Sequence, residues 1–262
     1  FSDIWPQAES LEIKENFIRP MHTGGMYEAE EVLYEDERIA GAFRTRTFLL
    51  PDKRLGVAFE EITHRKRQEE TLKTPIRLIS YSLSHSLDEL LTATIDEAER
   101  LTNSSISFYH FLSEDQTTLS LQAYSTRTLN EFCTAVGKGY HYKVSEAGVW
   151  VDCVRERDVV IHNDYKSLPH KKGLPEGHAP VVRQMVVPVF RNDRIVAIMG
   201  VGNKPTEYDQ NDVSMAKLLA DITWDIVERK RAENELLKLR NYLSNIVNSM
   251  PSQLIGVDVQ GR

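Results

Sequence analysis

A chain of 262 residues, 41% of them hydrophobic, can bury one or two cores, and its net charge of −7 offers no basic face for phosphate, which argues against broad nucleic-acid contact. The longest strongly apolar stretch, Ile195 to Gly202, is far shorter than the ~18 residues a membrane helix needs; no signal peptide is visible, and Cys133 and Cys153 make no disulfide framework. These features point to the cytoplasm and to a small molecule or another protein as partner. Phe1 in place of an initiator methionine, and an ending at Gly261-Arg262 where a turn should lead into a strand, read as a piece of something longer.

The first sixty residues read as a short helix, LEIKENFIRPMHTGG, then three strands, MYEAEEVLYED, IAGAFRTRTFLL and RLGVAFEEIT, forming an antiparallel meander. From Glu60, EEITHRKRQEETLK is charged and helix-forming, as on a solvated helix or coiled coil. Thr74-Pro75, a capping residue before proline, predicts a break and a new helix. Its apolar residues Ile76, Ile79, Leu83, Leu87, Leu90 and Leu91 should keep one face buried on a sheet. Two strands follow in SISFYHFLSEDQTTLSLQAYS, with Ser113 to Gln116 at the tip, then a short helical stretch, TLNEFCTAV. A helix is expected from Ser145 in SEAGVWVDCVRER, with Val149, Trp150, Cys153 and Val154 on its apolar face, and DVVIH reads as a strand.

An irregular loop, rich in proline and glycine, then runs from His162 to Val182 and carries His162, His170 and His178 at eight-residue intervals. RQMVVPVFRNDRIVAIMGVGNK makes a hairpin turning at Arg191 to Arg194, and a last helix starts near Asp209 and continues without a stop signal. Within it DITWDIVERKRAENELLK echoes EEITHRKRQEETLK, the one internal repeat. Leu236, Leu239, Leu243, Ile246 and Met250 step by three and four, a seam that suits a parallel coiled coil and hence a homodimer. The alternative is an amphipathic helix packed on its own domain.

Ser86 to about Arg231 resembles a GAF domain in the helix SLDELLTATIDEAERL, the strand ISFYHFL, the hairpin before Asn203-Lys204, and the helix start YDQNDVSMAKLLADI. Trp5 to Thr63 resembles the C-terminal half of a PAS domain, ending in Glu61-Ile62-Thr63, and NYLSNIVNSMPSQLIGVDVQGR resembles the opening of a second PAS domain. The resemblance implies an α/β (α+β) fold: a central antiparallel sheet with helices on one face and a ligand pocket on the other, preceded by a partial PAS sheet and followed by a long linker helix. The implied organisation is 1–63 PAS, 64–85 linker, 86–231 GAF, 232–249 coiled-coil linker and 250–262 second PAS. That order resembles the sensory middle of bacterial or archaeal sensor histidine kinases, with the kinase domain elsewhere in the polypeptide and no catalysis in this stretch.

His85, in SLSHSLDELL, looks like a phosphoacceptor box only in part: Ser86 stands where an acid is usual and the following proline is missing, so it reads as an ordinary helix histidine. Asn203-Lys204, Tyr208 and Asp212 keep part of the pattern of cyclic-nucleotide-binding GAF domains, but Val213 replaces its final acid and Lys204–Asp212 is expected to brace the fold. No Cys-x-x-Cys or His-x-x-x-His pair marks a metal site. The GAF resemblance implies ligand-binding candidates Phe108, His110, Tyr140, His141, Trp150, His170 and His178. Some GAF sensors bind haem, and others attach bilins through cysteine; the haem candidates are His178 as axial ligand and Cys133 as tether. Otherwise Cys133, beside Leu129, Phe132 and Val136, and Cys153 read as quiet core cysteines. GAF-fold methionine sulfoxide reductases are the enzymatic alternative, but two cysteines twenty residues apart, with no cation clearly lowering a thiol pKa, fit them poorly.

Overall fold

The computed structural model describes residues 13–35, 40–132, 141–172, 180–249 and 260, and the chain divides into two compact units, Phe1–Lys73 and Thr74–Arg262. In the first, α1 (Ile13–Thr23) ends at Gly24, whose φ of +71° suits a helix stop. Strands β1 (Tyr27–Glu35), β2 (Ala40–Leu50) and β3 (Arg54–Glu61) form an antiparallel sheet in that order. Phe17 and Tyr34 are its buried centre, packed against Val32, Phe43, Leu55 and Val57.

Helix α2 (Thr63–Ser82) corrects one expectation, because it runs through Pro75 without a break. The interruption falls at Leu83–Ser86, and a capping box explains why: Glu89 N–H donates to Ser86 Oγ while Ser86 N–H donates to Glu89 Oε2 at 2.8 Å. This starts α3 (Leu87–Leu101) afresh and divides the apolar series in two. Ile76, Ile79 and Leu83 are exposed, whereas Leu90 and Leu91 are fully buried.

The second unit is built on a six-stranded antiparallel sheet: β4 (Ile106–Leu112), β5 (Thr118–Tyr124), β6 (His141–Lys143), β7 (Val160–His162), β8 (Gln184–Arg191) and β9 (Arg194–Gly202), in the order β6-β5-β4-β9-β8-β7. The β8–β9 hairpin turns where the sequence placed it, and β6 is a strand the sequence reading missed. Alternation along the strands gives the sheet two apolar faces. Tyr109, Phe111, Met185, Val187, Met199 and Val201 pack under α3 and α5 (Gln210–Ser249) in the larger core. Phe108, Leu119, Val186 and Ile198 face the other way, against Val151, Cys153 and Trp150. This mixed α/β architecture is the fold class expected.

The helix expected from Ser145 is instead a 3-10 turn, Val149–Val151, followed by the five-residue α4 (Asp152–Glu156). Gly148 is extended at its start and Arg157 turns left-handed at φ 58°, so the backbone leaves helical geometry on both sides. TLNEFCTAV becomes a π-helical turn at Thr128–Phe132, and its remainder lies outside the described residues. Helix α5 is 40 residues long and buries side chains from Asp212 to Val227. Beyond it Leu236, Leu239 and Leu243 are 68%, 54% and 52% exposed. Of 250–262 only Gln260 is described. Among the described residues no helix is long and apolar enough to cross a membrane.

Candidate functional site

On the sheet face away from α3 and α5, β4 presents Phe108 and His110. Phe108 leans across β9, where a Cβ on Gly200 would meet its ring at 2.2 Å, so glycine there is what lets the ring lie down. His110 is 3% exposed and enclosed by rings: Phe108 edge-on at 5.1 Å, Trp150 tilted at 4.8 Å and Tyr142 at 6.0 Å. Trp150 closes the group, edge-on to both Phe108 and Tyr142 at 5.8 and 5.7 Å. Burial pushes the His110 pKa down to about 3, so the imidazole is neutral, and its Nδ1 has no hydrogen-bond partner among the described residues.

A polar group occupies another part of that face. Asp152, at the start of α4, is buried, and its Oδ1 accepts from Arg155 Nη1 at 2.6 Å while Oδ2 accepts from His170 Nε2 at 2.8 Å. Arg155 also donates to the carbonyls of Val144, Ala147 and Gly148, which fixes the turn leading into Trp150. His162 Nε2 stands 3.5 Å from Asp152 Oδ2, and burial lowers the His162 pKa. With its carboxylate committed to Arg155 and His170, Asp152 is not an open metal ligand. Among the described residues no group of three or more His, Cys, Asp or Glu side chains could hold a metal ion.

The structure thus brings Phe108, His110 and Trp150 together, and places His170 with Asp152 instead. His141 is exposed on β6, because alternation turns its neighbour Tyr142 inward; the short run His141-Tyr142-Lys143 carried that signal, had it been read as a strand. Cys133, Tyr140 and His178 lie outside the described residues. Cys153 is wholly buried in the smaller core and burial pushes its thiol pKa up, which leaves it inert. A surface depression of about 520 Å³ lined by Pro188, Phe190, Arg191, Lys217, Asp221 and Asp225 has its arginine already paired to both aspartates.

With this geometry in hand, the match that decides the family is that of the GAF domain to residues 84–228, more than half of the chain. The chain belongs to the GAF domain family. It is 33% identical over 209 residues to the methyl sulfide methyltransferase-associated sensor of Methanosarcina acetivorans, an alignment covering 74% of this chain and 21% of that protein. The chain therefore spans about a fifth of the curated relative it matches. Two solved structures share the fold: the GAF domain of a phosphoenolpyruvate-protein phosphotransferase from Coxiella burnetii (TM-score 0.53, 13% identity, 64% of this chain and 98% of that one) and a bacteriophytochrome from R. palustris (TM-score 0.51, 12% identity, 91% and 54%).

Two residues weighed from the sequence take structural roles in this GAF domain. Lys204 Nζ pairs with the buried Asp212, which also accepts from Asp209 N–H, so the pair braces the start of α5. His85 lies in the break between α2 and α3, stacked on Tyr81 at 3.5 Å with its Nδ1 2.9 Å from the Tyr81 carbonyl oxygen.

The buried imidazole makes stability depend on pH. His110 in the folded GAF domain stays unprotonated to about pH 3, whereas the unfolded chain protonates it near 6.5. Its contribution is therefore intact above 6.5 and is lost as pH falls from 6.5 towards 3, at up to about 1.4 kcal/mol per pH unit. His110→Phe removes that titration. In urea unfolding, the stability of the wild type relative to this variant should fall by about 2 kcal/mol between pH 7.5 and 5. A difference independent of pH contradicts a buried neutral His110.

Proposed function

We propose that this chain is the cytoplasmic sensory region of a two-component signal-transduction histidine kinase, in which the GAF domain takes a small ligand on the sheet face carrying Phe108, His110 and Trp150. The observation that carries this reading is His110: a neutral imidazole, buried among three aromatic rings, with Nδ1 lacking a partner. Packing alone would favour an apolar residue there, because a buried polar atom left unsatisfied costs about 1–3 kcal/mol. Apolar walls with a few polar groups are what a small-molecule site requires. The relative named as a sensor supports the same reading.

In this reading residues 1–63 and 250–262 belong to flanking PAS domains, 64–85 and 232–249 are linker helices, and catalysis belongs to a kinase domain elsewhere in the polypeptide. Transmission is a population shift: the ligand favours one arrangement of the flanking helices, which pair with those of a second copy. The exposed series Leu236, Leu239 and Leu243 on α5, and Ile76 and Ile79 on α2 with Leu83 just past its end, support helix pairing between copies. Inserting one residue between Arg231 and Leu236 shifts the α5 seam by about 100° and should abolish ligand control of kinase output in the full-length protein, whereas seven residues restore the face and should be tolerated. Equal effects of the two insertions contradict transmission through a coiled coil.

A second reading makes the ligand haem. It is favoured by the aromatic rings of Phe108, Tyr142 and Trp150 gathered on one sheet face, which suit the flat apolar surface of a macrocycle. His178 would be the axial ligand and Cys133 the tether, and haem would supply redox or gas-binding chemistry. The protein residues would hold it, exclude water and convey its state. Titration with haemin should then give a sharp Soret band that moves on reduction and is altered by His178→Ala and by Cys133→Ala. A featureless spectrum without saturation returns the search to organic ligands.

A further inference from the structure

The polar end of the proposed ligand face holds two nitrogens that close no hydrogen bond among the described residues. His162 closes β7 and Gln184 opens β8, and the two are partners in register, so their side chains rise from one face with Cβ atoms about 5 Å apart. Which face is settled by alternation: Met185, Val187 and Val189 enter the core beneath α3 and α5, so Gln184 projects with Val186 to the opposite side. Gln184 is 6% exposed, and its Nε2 has no hydrogen-bond partner among the described residues. His162 Nε2 is buried and closes no hydrogen bond either: Asp152 Oδ2 stands 3.5 Å away, close enough to pair charges but long for an effective N–H···O bond. The next position inward on each strand is Val160 and Val186, both buried. The chain therefore sets two polar side chains where its own pattern supplies valine, and leaves both unsatisfied.

Asp152 decides what chemistry these donors offer. A lone pair on His162 Nε2 would face a carboxylate oxygen, so the favoured tautomer carries its proton on Nε2. Burial lowers the pKa of His162, which keeps the ring a neutral donor at neutral pH. Gln184 Nε2 is a donor in any state. Two neighbouring N–H groups on one face are matched by a single oxygen with two lone pairs. An anionic oxygen is the poorer match: within hydrogen-bond distance of His162 Nε2 it would crowd the Asp152 carboxylate, whose positive partner Arg155 is already bonded to Asp152 Oδ1 and to three backbone carbonyls.

We propose that His162 and Gln184 form the polar anchor of the ligand site and together donate to one neutral carbonyl oxygen, that of an amide or lactam. This rests on the reading that the sheet face opposite α3 and α5 receives a small ligand, and it adds the chemical class that face selects. His162 and Gln184 set that specificity. Asp152 is a positioning residue: its carboxylate, 3.5 Å from His162 Nε2, favours the tautomer protonated there without closing a hydrogen bond on it.

The test is nitrogen-proton NMR of the whole chain, following the Gln184 side-chain amide, the His162 ring and the Trp150 indole, titrated separately with benzamide, benzoate and benzene. Benzamide should shift the Gln184 and His162 signals saturably and bind at least about tenfold more tightly than benzoate, the worth of one good hydrogen bond. Gln184→Leu and His162→Phe should each weaken benzamide about tenfold while leaving the Trp150 signal of the free protein in place, which shows that the variants fold. Benzoate binding as tightly as benzamide overturns the choice of a neutral carbonyl. Benzamide or benzene shifting Trp150 while Gln184 and His162 stay unmoved overturns the anchor and leaves the ligand face standing. No response of any signal to any probe, with Gln184 exchanging magnetisation only with water, assigns the two donors to a buried water and overturns both readings.

Discussion

Strand β4 is buried from both sides, and the rest of the GAF domain is arranged around satisfying that requirement. On the helix side the polar groups find partners within the chain. Tyr109 donates to the Ala220 carbonyl at 3.1 Å, Ser107 Oγ to the Ile95 carbonyl at 3.0 Å, and Thr94 shares a 2.9 Å bond with Thr223. Trp224 Nε1 is an exception in that core. On the other side the arrangement differs in kind, because His110, His162 and Gln184 each keep a buried nitrogen without a hydrogen-bond partner among the described residues. Buried polar groups in native proteins are as a rule paired, so three unpaired nitrogens on one face of this sheet support the proposed ligand face, although Arg183 Nε and Trp224 Nε1 are unpaired elsewhere in the GAF domain.

The same strand ties that face to the helices. Tyr109 and Phe111 alternate with Phe108 and His110, so any displacement of β4 is felt on both sides at once. Helix α5 is fastened to it by the Tyr109 bond and by Arg231, whose guanidinium lies 4.5 Å over the Phe111 ring and 5.3 Å over Trp224. Immediately before Arg231, Arg229 donates to Ser82 Oγ and Lys230 to the His85 carbonyl, clamping α5 to the junction of α2 and α3. Past this clamp α5 carries its apolar side chains into solvent. A rigid root and an unpartnered extension give the geometry that the proposed transmission needs: a small shift at the sheet becomes a larger one along the helix.

Strand alternation and turn chemistry are what made most of the fold legible. The β4–β5 and β8–β9 hairpins, and the alternation that puts Phe108 and His110 on one side of β4, follow from period-two patterning and from polar turns at Ser113 to Gln116 and Arg191 to Arg194, whereas the pairing of β4 with the distant β9 does not. Local signals failed where two of them competed. Thr74-Pro75 looked like a helix start, but the Ser86–Glu89 capping box, with two reciprocal bonds, is the stronger one, and proline at position 75 is accommodated within α2. Ser145 looked like another, but the left-handed Arg157 and the extended Gly148 confine α4 to five residues. The polar cluster was the least legible part. Nothing in the local pattern of Asp152, His162 or Gln184 announces that residues ten and more positions apart meet, because their encounter is fixed by sheet register and by α4 packing on β8 and β9. His162 and His170 stood out in the sequence as loop histidines, only His170 as a ligand-binding candidate, and the partner of His170 is Asp152 rather than the aromatic group.

The most direct measurement is hydrogen exchange by mass spectrometry on the chain as purified from cells and on the same chain stripped of small molecules by unfolding and refolding. A ligand on the face of Phe108, His110 and Trp150 predicts faster exchange after stripping in peptides covering Ile106–Leu112, Val149–Glu156 and Gln184–Arg191, with α3 following more weakly through the shared core. Identical exchange in the two samples, or a change confined to α3 and the first turns of α5, contradicts the account.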